Sequence, residues 1–192
     1  MGTTQPIRDK EELKKFISYY RDTKPRPRDY ALIVTGLHTA LRISDILNLK
    51  WGDLYRFEKN AYEKHLCVQE KKTGKNSLIA VNGHVVAALE YYRATRTPKP
   101  ADYIFSKNSN PAVPLCRSQA YRIIKKAASE TLKDKNISCH SLRKTFGYHA
   151  WQQGISPVIL MDIYNHSSYH ITKRYLGIVQ DERDSAFLKI DI

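Results

Sequence analysis

The sequence predicts one mostly helical α+β domain that holds a small antiparallel sheet. Apolar residues recur at helical spacing over most of the chain, whereas residues 66–81 alternate with the period of a strand. With 192 residues, 42% of them hydrophobic, the chain is long enough to bury a core without disulfide or metal support. No apolar run approaches the roughly 18 residues of a membrane span, so we expect no membrane partner.

The first elements are helices. Asp9 and Glu12 stand at the two positions of a capping box, and the apolar stripe after them predicts a helix over residues 9–20. The next elements are, in order, a break at 25–28, helices over 29–39 and 43–49, and a turn at 51–53.

The middle of the chain changes to strand periodicity. Residues 66–69 and 77–81 predict two strands, joined by a basic turn over Lys71–Lys75. The elements that follow are a helix over 83–96, a short strand over 103–105, a polar loop over 106–114 and a helix over 117–132.

The last third is helical again. Ser156 and Pro157 have the residue types of an N-cap and a first helical position, so a helix is expected over 156–164. The neighbouring predictions are helices over 141–153, 168–175 and 181–188. No internal repeat interrupts this order, and we interpret residues 1–192 as one domain.

Net charge gives the first indication of a partner. The 32 Lys and Arg residues outnumber the 19 Asp and Glu residues, which leaves a formal charge of +13. Because the basic residues are spread over the whole length, a folded basic face is favoured over a disordered arm. A polyanion such as nucleic acid fits this face, although charge alone fits an anionic membrane surface as well.

Metal and disulfide chemistry are disfavoured. The cysteines Cys67, Cys116 and Cys139 are far apart and form no CxxC pair, and their odd number argues against a disulfide framework. We interpret Cys139 as a small packing residue. The acidic residues are scattered, and Asp45 is interpreted as the helix partner of Arg42 rather than as a Mg²⁺ ligand. We therefore expect no metal and no cofactor.

Four residues in the last third have a spacing suited to binding one anion. His140 and Arg143 are three positions apart on a predicted helix and share one face. His166 and Tyr175 are nine positions apart, which on an unbroken helix is about 900° and places them on opposite sides. Both can face one phosphate if the helix breaks between them, and Ser167-Ser168 supplies the break and a new N-cap.

The order of these motifs resembles a known family. The segment TALRISDILNL at residues 39–49 precedes these four residues, and the Lys72-Thr73-Gly74 hairpin lies between that segment and His140. From about residue 10 to residue 178 the chain resembles the catalytic domain of the tyrosine recombinases, the phage integrase family. The resemblance implies six catalytic positions, which are Arg42, Lys72, His140, Arg143, His166 and Tyr175.

The resemblance also implies a mechanism. In the family the tyrosine attacks a DNA phosphate to form a 3′-phosphotyrosyl link, and a 5′-hydroxyl later reverses the step without metal or ATP. Tyr175 is then the nucleophile, His140 exchanges its proton, and Lys72 protonates the leaving oxygen, a role for which Lys71 and Lys75 compete. Two arginines suit such chemistry because their charged forks bind phosphate oxygens bidentately.

One position departs from the family pattern. Members often carry Leu-Gly before the second histidine, whereas Tyr164-Asn165 precede His166 here. Asparagine tolerates left-handed backbone nearly as well as glycine, so the turn is expected to survive. His166 is then expected to donate to a non-bridging phosphate oxygen.

Partners follow from the same resemblance. It implies double-stranded DNA as the substrate and a homotetramer on DNA, formed from a protein that can be monomeric when free. We expect residues 179–192 to dock on a neighbouring protomer, no separate N-terminal core-binding domain, and assistance from accessory DNA-bending proteins. The expected location is the cytoplasm, in association with the nucleoid, in a bacterial or phage setting.

Two alternative activities stay open on the sequence. One is a catalytically weak DNA-binding regulator on the same fold, and the other is relaxation of supercoils without strand exchange. A pure regulator would form only salt-sensitive complexes with DNA, whereas a recombinase also forms a covalent one. Integration, excision, inversion and resolution use identical chemistry.

Overall fold

The structure, a computed structural model, describes residues 4–71, 74–134 and 136–190. Helices dominate the described part of the chain, as the sequence predicts for a mostly helical α+β fold. The helices are α1 (Lys10–Ser18), α2 (Pro27–Thr39), α3 (Ile43–Ile46), α4 (Trp51–Leu54), α5 (Gly83–Arg93), α6 (Arg117–Thr131), α7 (Cys139–Gln152), α8 (Pro157–Tyr164), α9 (Tyr169–Leu176) and α10 (Val179–Lys189). The strands are β1 (Tyr55–Arg56), β2 (Ala61–Tyr62), β3 (His65–Gln69), β4 (Asn76–Ala80), β5 (Ser106–Lys107) and β6 (Asn110–Pro114).

The N-terminal helices follow the sequence signals closely. The Asp9 carboxylate accepts the backbone N–H of Glu12 at 2.7 Å and caps α1 as expected. Helix α2 begins at Pro27, two residues earlier than predicted, because proline suits the first turn of a helix. Helix α3 is shorter than the predicted helix over 43–49, and the turn expected at 51–53 is a single helical turn, α4.

In place of one small sheet, the described strands form three separate two-stranded antiparallel ribbons, β1–β2, β3–β4 and β5–β6. The β3–β4 ribbon is the predicted hairpin, with Leu66 opposite Ile79. The strand predicted over 103–105 is wrong: Ile104 and Phe105 are fully buried, and their apolar character reflects core packing. The polar loop predicted over 106–114 is instead the exposed β5–β6 ribbon, whose polar composition comes from its solvent exposure.

The two helices that flank the break, α8 and α9, begin with capping residues that the sequence predicts. Ser156 caps α8 with Pro157 at its first position, and Ser168 caps α9 by accepting the N–H of Ile171 at 3.2 Å. Asn165 ends α8 with φ 54°, a left-handed conformation that asparagine tolerates. The predicted break between His166 and Tyr175 is therefore present.

A large core and a smaller one lie side by side. The large core joins α1, α2, α5 and α6 with the ribbons. The smaller core contains Ala40, Leu160, Tyr164, Leu176 and Ile178, and it packs α8 and α9 against α7. The smaller core therefore fixes the two helices that flank the break.

The segment before α1 crosses the C-terminal helices. The Ile7 N–H donates to Thr145 Oγ1 at 2.9 Å, and Arg8 Nη2 donates to the carbonyl of Gly177 at 2.7 Å. Gly177 ends α9, so this segment ties the end of that helix to the rest of the domain. Within the described ranges, no helix combines the length and apolarity that crossing a bilayer requires.

Candidate active site

Arg143 is the most buried of the five predicted site residues that the structure describes. It is 4% exposed on α7, and its guanidinium donates to the carbonyls of Ala40 and, at 3.1 Å, Tyr164. Its Cζ atom lies 4.5 Å from the centre of the Tyr164 ring. Burial lowers its pKa, as does the positive charge of Arg42, yet an arginine stays charged in proteins. A fixed, desolvated cation is thus held where α7 meets α8.

Arg42 stands at the N-cap of α3 and forms an ion pair with Glu70. The predicted pair between Arg42 and Asp45 is wrong. At the N-cap the backbone of Arg42 is extended, with ψ 147°, so the geometry of residues three apart on a helix does not apply. Asp45 instead accepts the backbone N–H of Lys71 at 3.2 Å.

His166 and Tyr175 meet across the break between α8 and α9. Their ring centres are 5.1 Å apart, edge to face, and both rings contact Tyr164 at 5.3 Å. Nδ1 of His166 is hydrogen-bonded to Thr172 Oγ1 at 3.0 Å, which fixes the imidazole orientation. The prediction that the helix break brings these two residues to one side is confirmed.

Burial and the charges of two arginines have opposite effects on the pKa of the Tyr175 hydroxyl. Burial raises the pKa of Tyr175, whereas the charges of Arg143 and Arg42 and a hydrogen bond with Arg143 lower it. The pKa of His166 is lowered by burial and by the same two arginines. Each of these groups therefore lies within the electrostatic reach of the others, so Arg42, Arg143, His166 and Tyr175 form one cluster.

His140 lies at the edge of this cluster, in the first turn of α7. It lines a cleft of about 550 Å³ together with Arg117 and Arg122 of α6. Its pKa is lowered by loss of hydration and then by nearby cations, of which Arg143 is the strongest. The imidazole is therefore neutral near pH 7 and able to accept a proton.

The sixth predicted residue, Lys72, lies outside the described residues. Its neighbours Lys71 and Gly74 are described, and the hairpin closes through the Gly74 N–H, which donates to the carbonyl of Glu70 at 2.8 Å. Lys71 is anchored at its backbone by Asp45, three residues after Arg42. The base of the turn is thus attached to the segment that carries Arg42.

Three further residues of the cluster were not predicted from the sequence. Glu70 pairs with Arg42, Tyr164 contacts three site side chains, and Lys144 has its ammonium 5.1 Å from the centre of the Tyr175 ring. The sequence signal that could have identified Lys144 is its position directly after Arg143. Glu70 belongs to a segment with no motif of its own, and Tyr164 was noted only as a departure from the family pattern before His166.

Carboxylates do not gather into a metal site in the described part of the chain. No group of three or more His, Cys, Asp or Glu residues there is close enough together to hold an ion. Cys139 packs against the large core, and burial raises its thiol pKa to about 11, which suits the packing role predicted for it.

Comparison with known proteins gives a consistent result. Residues 8–181 match the sequence model of the phage integrase family. The protein named "Probable integrase/recombinase YoeC" of Bacillus subtilis (strain 168) is 37% identical over 187 residues, which covers 97% of each chain. The crystal structure of XerA recombinase matches with a TM-score of 0.75 at 20% identity, over 99% of this chain and 68% of that chain.

A DNA complex is among the matching structures. The Tn1549 transposon integrase, solved with a circular intermediate DNA, matches with a TM-score of 0.68 at 25% identity, over 91% of this chain and 62% of that chain. The chain also spans 55–58% of the length of three further curated relatives, each named a tyrosine recombinase.

Proposed function

Since this chain belongs to the phage integrase family of tyrosine recombinases, we propose that it cleaves and rejoins DNA at specific sites through an ester on Tyr175. The observation that carries the proposal is the contact of the Tyr175 ring with His166, under the charges of Arg42 and Arg143. The Tn1549 complex supports DNA as the substrate.

The proposed step exchanges one phosphate ester for another. The Tyr175 oxygen attacks the scissile phosphorus and forms an O–P bond, while the bond to the 5′-oxygen breaks and that oxygen leaves as a hydroxyl. A 5′-hydroxyl of another strand reverses the step and releases Tyr175. Because the ester conserves the energy of the broken bond, the proposed reaction needs no ATP, and cationic side chains stabilise the phosphate charge in place of a metal ion.

The two arginines stabilise the charge that develops on the phosphate. The transition state of phosphoryl transfer spreads negative charge over the equatorial oxygens, so fixed cationic donors supply most of the catalysis. Arg143 is already desolvated and held by two backbone carbonyls, so its side chain rearranges little when the phosphate binds. His166, fixed by Thr172, donates to a non-bridging oxygen through its other nitrogen.

Proton transfers accompany both bond changes. His140 accepts the proton of Tyr175, a phenol whose ordinary pKa of about 10 is raised further by burial. Lys72 delivers a proton to the leaving 5′-oxygen, with Lys71 and Lys75 as the competing candidates. Tyr175 is protonated and His140 is mostly neutral near pH 7, as their proposed roles require.

The proposed assembly extends beyond one chain. We expect a homotetramer on DNA from a protein that can be monomeric when free, with residues 179–192 docking on a neighbouring protomer. Helix α10 supports this role because Phe187 and Leu188 are 79% and 86% exposed. Residues 1–192 as a single catalytic domain, accessory DNA-bending proteins and association with the nucleoid stay predictions.

Covalent capture tests the proposed function. The probe is a pool of duplexes with a randomised centre and a nick near it, so that a short fragment diffuses away after cleavage and traps the adduct. The unsubstituted protein is expected to form adducts that survive denaturant, and Tyr175→Phe to form none while still binding DNA. Tyr169→Phe, an exposed tyrosine on the same helix, serves as the matched control.

Each outcome separates the candidate activities. Salt-sensitive binding without any adduct would favour the DNA-binding regulator and overturn the proposal. Adducts that persist in Tyr175→Phe would place the nucleophile elsewhere. With a captured sequence in supercoiled plasmids, recombinant products indicate strand exchange, whereas relaxed circles alone indicate supercoil relaxation.

A further inference from the structure

Glu70 is a buried carboxylate inside an otherwise basic site. It follows β3, is 1% exposed, and takes no part in the cleavage chemistry proposed above. It lines a cleft of about 220 Å³ together with Arg143 and Asn165. An ionised carboxylate is costly to bury unless it is paired and hydrogen-bonded, so its partners indicate its role.

Among the residues that the structure describes, side chains from three segments contact this carboxylate. Arg42 forms the ion pair through Nη1 to Oε2. Ser77 of β4 donates its hydroxyl to Oε1 at 3.0 Å, and Asn165 donates Nδ2 to the same oxygen at 3.1 Å. Because Asn165 directly precedes His166, the carboxylate connects Arg42 with the turn that places His166.

The backbone of Glu70 closes the base of the hairpin turn. Its N–H donates to the carbonyl of Lys75 at 2.9 Å, and its carbonyl accepts the N–H of Gly74 at 2.8 Å. A single residue therefore joins the turn over Lys71–Lys75, the arginine at the start of α3 and the end of α8.

The charge of Glu70 also offsets repulsion between the arginines. Arg42 lowers the pKa of Arg143, after the larger effect of burial, whereas Glu70 raises it. A bound DNA phosphate would supply negative charge between the two guanidinium groups. Before DNA binds, the Glu70 carboxylate supplies this negative charge. Its ion pair with Arg42 keeps that arginine beside the cluster.

We propose that Glu70 is a positioning residue for DNA cleavage, which holds Arg42 in place relative to Arg143 and His166 before the phosphate arrives. This inference rests on the proposed function. Glu70 acts through Arg42 rather than on the substrate, so its loss is expected to slow the chemical step more than it weakens DNA binding. Preorganised donors need no rearrangement during the reaction, and a misplacement of about 1 Å can cost roughly 10²-fold in rate.

The test measures the rate constant of adduct formation with excess protein on a captured nicked duplex. Glu70→Gln keeps the side-chain shape but removes the charge, and it is expected to slow this rate about 10- to 100-fold, with DNA affinity changed by less than about 3-fold. Glu63→Gln removes the same charge from a pair with Arg56 on the surface and is expected to have no effect.

A second variant examines the connection to His166. Asn165→Gly removes the amide that contacts Glu70 yet suits the left-handed backbone at φ 54°. It is expected to slow the same rate constant about 3- to 10-fold, less than Glu70→Gln because the ion pair with Arg42 remains. If Glu70→Gln fails to fold, the rate constant of adduct formation by Asn165→Gly tests the proposal in its place.

A double-mutant cycle separates positioning from general stability. If Glu70 acts through Arg42, then Glu70→Gln should change the rate by less than about 2-fold in an Arg42→Ala background. A residue that only stabilises the fold would lower the fraction of protein that reacts, while the rate constant of the reacting fraction would stay the same. An equal slowing in both backgrounds would overturn the proposed route through Arg42.

The outcomes for this inference and for the proposed function are distinct. If the unsubstituted protein forms no adduct, the proposed function fails and this inference fails with it. If it forms adducts, and Glu70→Gln and Asn165→Gly form them at the same rate constant, then only the inference about Glu70 is overturned.

Discussion

Tyr175 keeps its proton at neutral pH because the ordinary pKa of a phenol is about 10, and burial raises it further. The positive charges of Arg42 and Arg143 lower this pKa. A phosphate bound to the two arginines would offset part of that charge, so they would stabilise the phenolate less. The proposed mechanism therefore needs a separate base when Tyr175 attacks the phosphate. His140, whose pKa is lowered by loss of hydration and by Arg143, is neutral and suited to that role.

The pH dependence of adduct formation follows from this state. Protonated His140 cannot accept a proton, and its pKa lies below the ordinary value of 6.5, so the rate should fall at acid pH with a midpoint below pH 6.5. Measured in single turnover between pH 5 and 9, His140→Gln should lower the rate about 10²- to 10⁴-fold and remove this acid limb.

His166→Gln is the matched control for the pH profile, because the pKa of His166 is also lowered by burial and by the arginines. It should slow the reaction but retain the acid limb. An acid limb that persists in His140→Gln and disappears in His166→Gln would assign the proton transfer to His166 instead.

Individual residues also show which contacts a sequence can predict. His166 and Tyr175 could be predicted to converge because the break at Ser167-Ser168 is a local signal. The pair of Arg42 with Glu70 could not, because it joins residues 28 positions apart through the fold of a hairpin. The expected partner of Arg42, Asp45, is nearer in sequence, but its carboxylate accepts the backbone N–H of Lys71.

At the scale of elements, the position of Tyr175 depends on how α8 and α9 pack on α7. Gly147, in the middle of α7, allows the close approach: a Cβ there would lie 2.5 Å from Leu176 Cδ2 and still nearer to the Tyr164 hydroxyl. That hydroxyl donates to the carbonyl of Arg143 at 2.8 Å, so α7 and α8 are hydrogen-bonded at the same point.

Gly147→Ala is therefore expected to destabilise the protein by about 1–3 kcal/mol, as overpacking of a buried contact does. It should also displace Leu176 and, with it, the helix that carries Tyr175, so adduct formation should fall by more than the loss of folded protein explains. Chemical denaturation gives the first quantity and single-turnover capture gives the second.

The matched control is Gly83→Ala at the start of α5, where a Cβ would meet no atom within 4 Å. It should be neutral or stabilising by up to about 1 kcal/mol, because alanine restricts the unfolded chain. Equal effects of the two substitutions would show that the packing at Gly147 does not govern the position of α9.

For the whole molecule, local signals predicted the order of the helices and the β3–β4 hairpin well. Caps at Asp9, Ser156 and Ser168 placed helix starts within a residue or two of those observed. The errors at residues 103–114 arose because burial of Ile104 and Phe105, not their backbone conformation, determined the apolar run. Burial of that kind depends on distant segments.

Assembly on DNA is the prediction that belongs to the molecule as a whole. Leu188→Glu should leave the stability of the free protein unchanged, because Leu188 is 86% exposed. If α10 docks on a neighbour, the charge should reduce formation of the multi-protomer DNA complex at least about tenfold, since burying a leucine contributes about 1.5–3 kcal/mol.

Light scattering of the protein–DNA complex measures this effect, with Tyr91→Glu, an exposed aromatic residue on α5, as the control. Binding of a single protomer to a single DNA site should be the same for both variants. A complex of unchanged mass for Leu188→Glu would contradict docking through α10.

The central claim is the ester between Tyr175 and DNA, and mass spectrometry of the captured adduct tests it most directly. After nuclease and protease digestion, the residual nucleotide is expected on the peptide that contains Tyr175, with fragment ions that place it on that side chain. A nucleotide on any other residue, or none at all in an adduct that survives denaturant, would contradict the account.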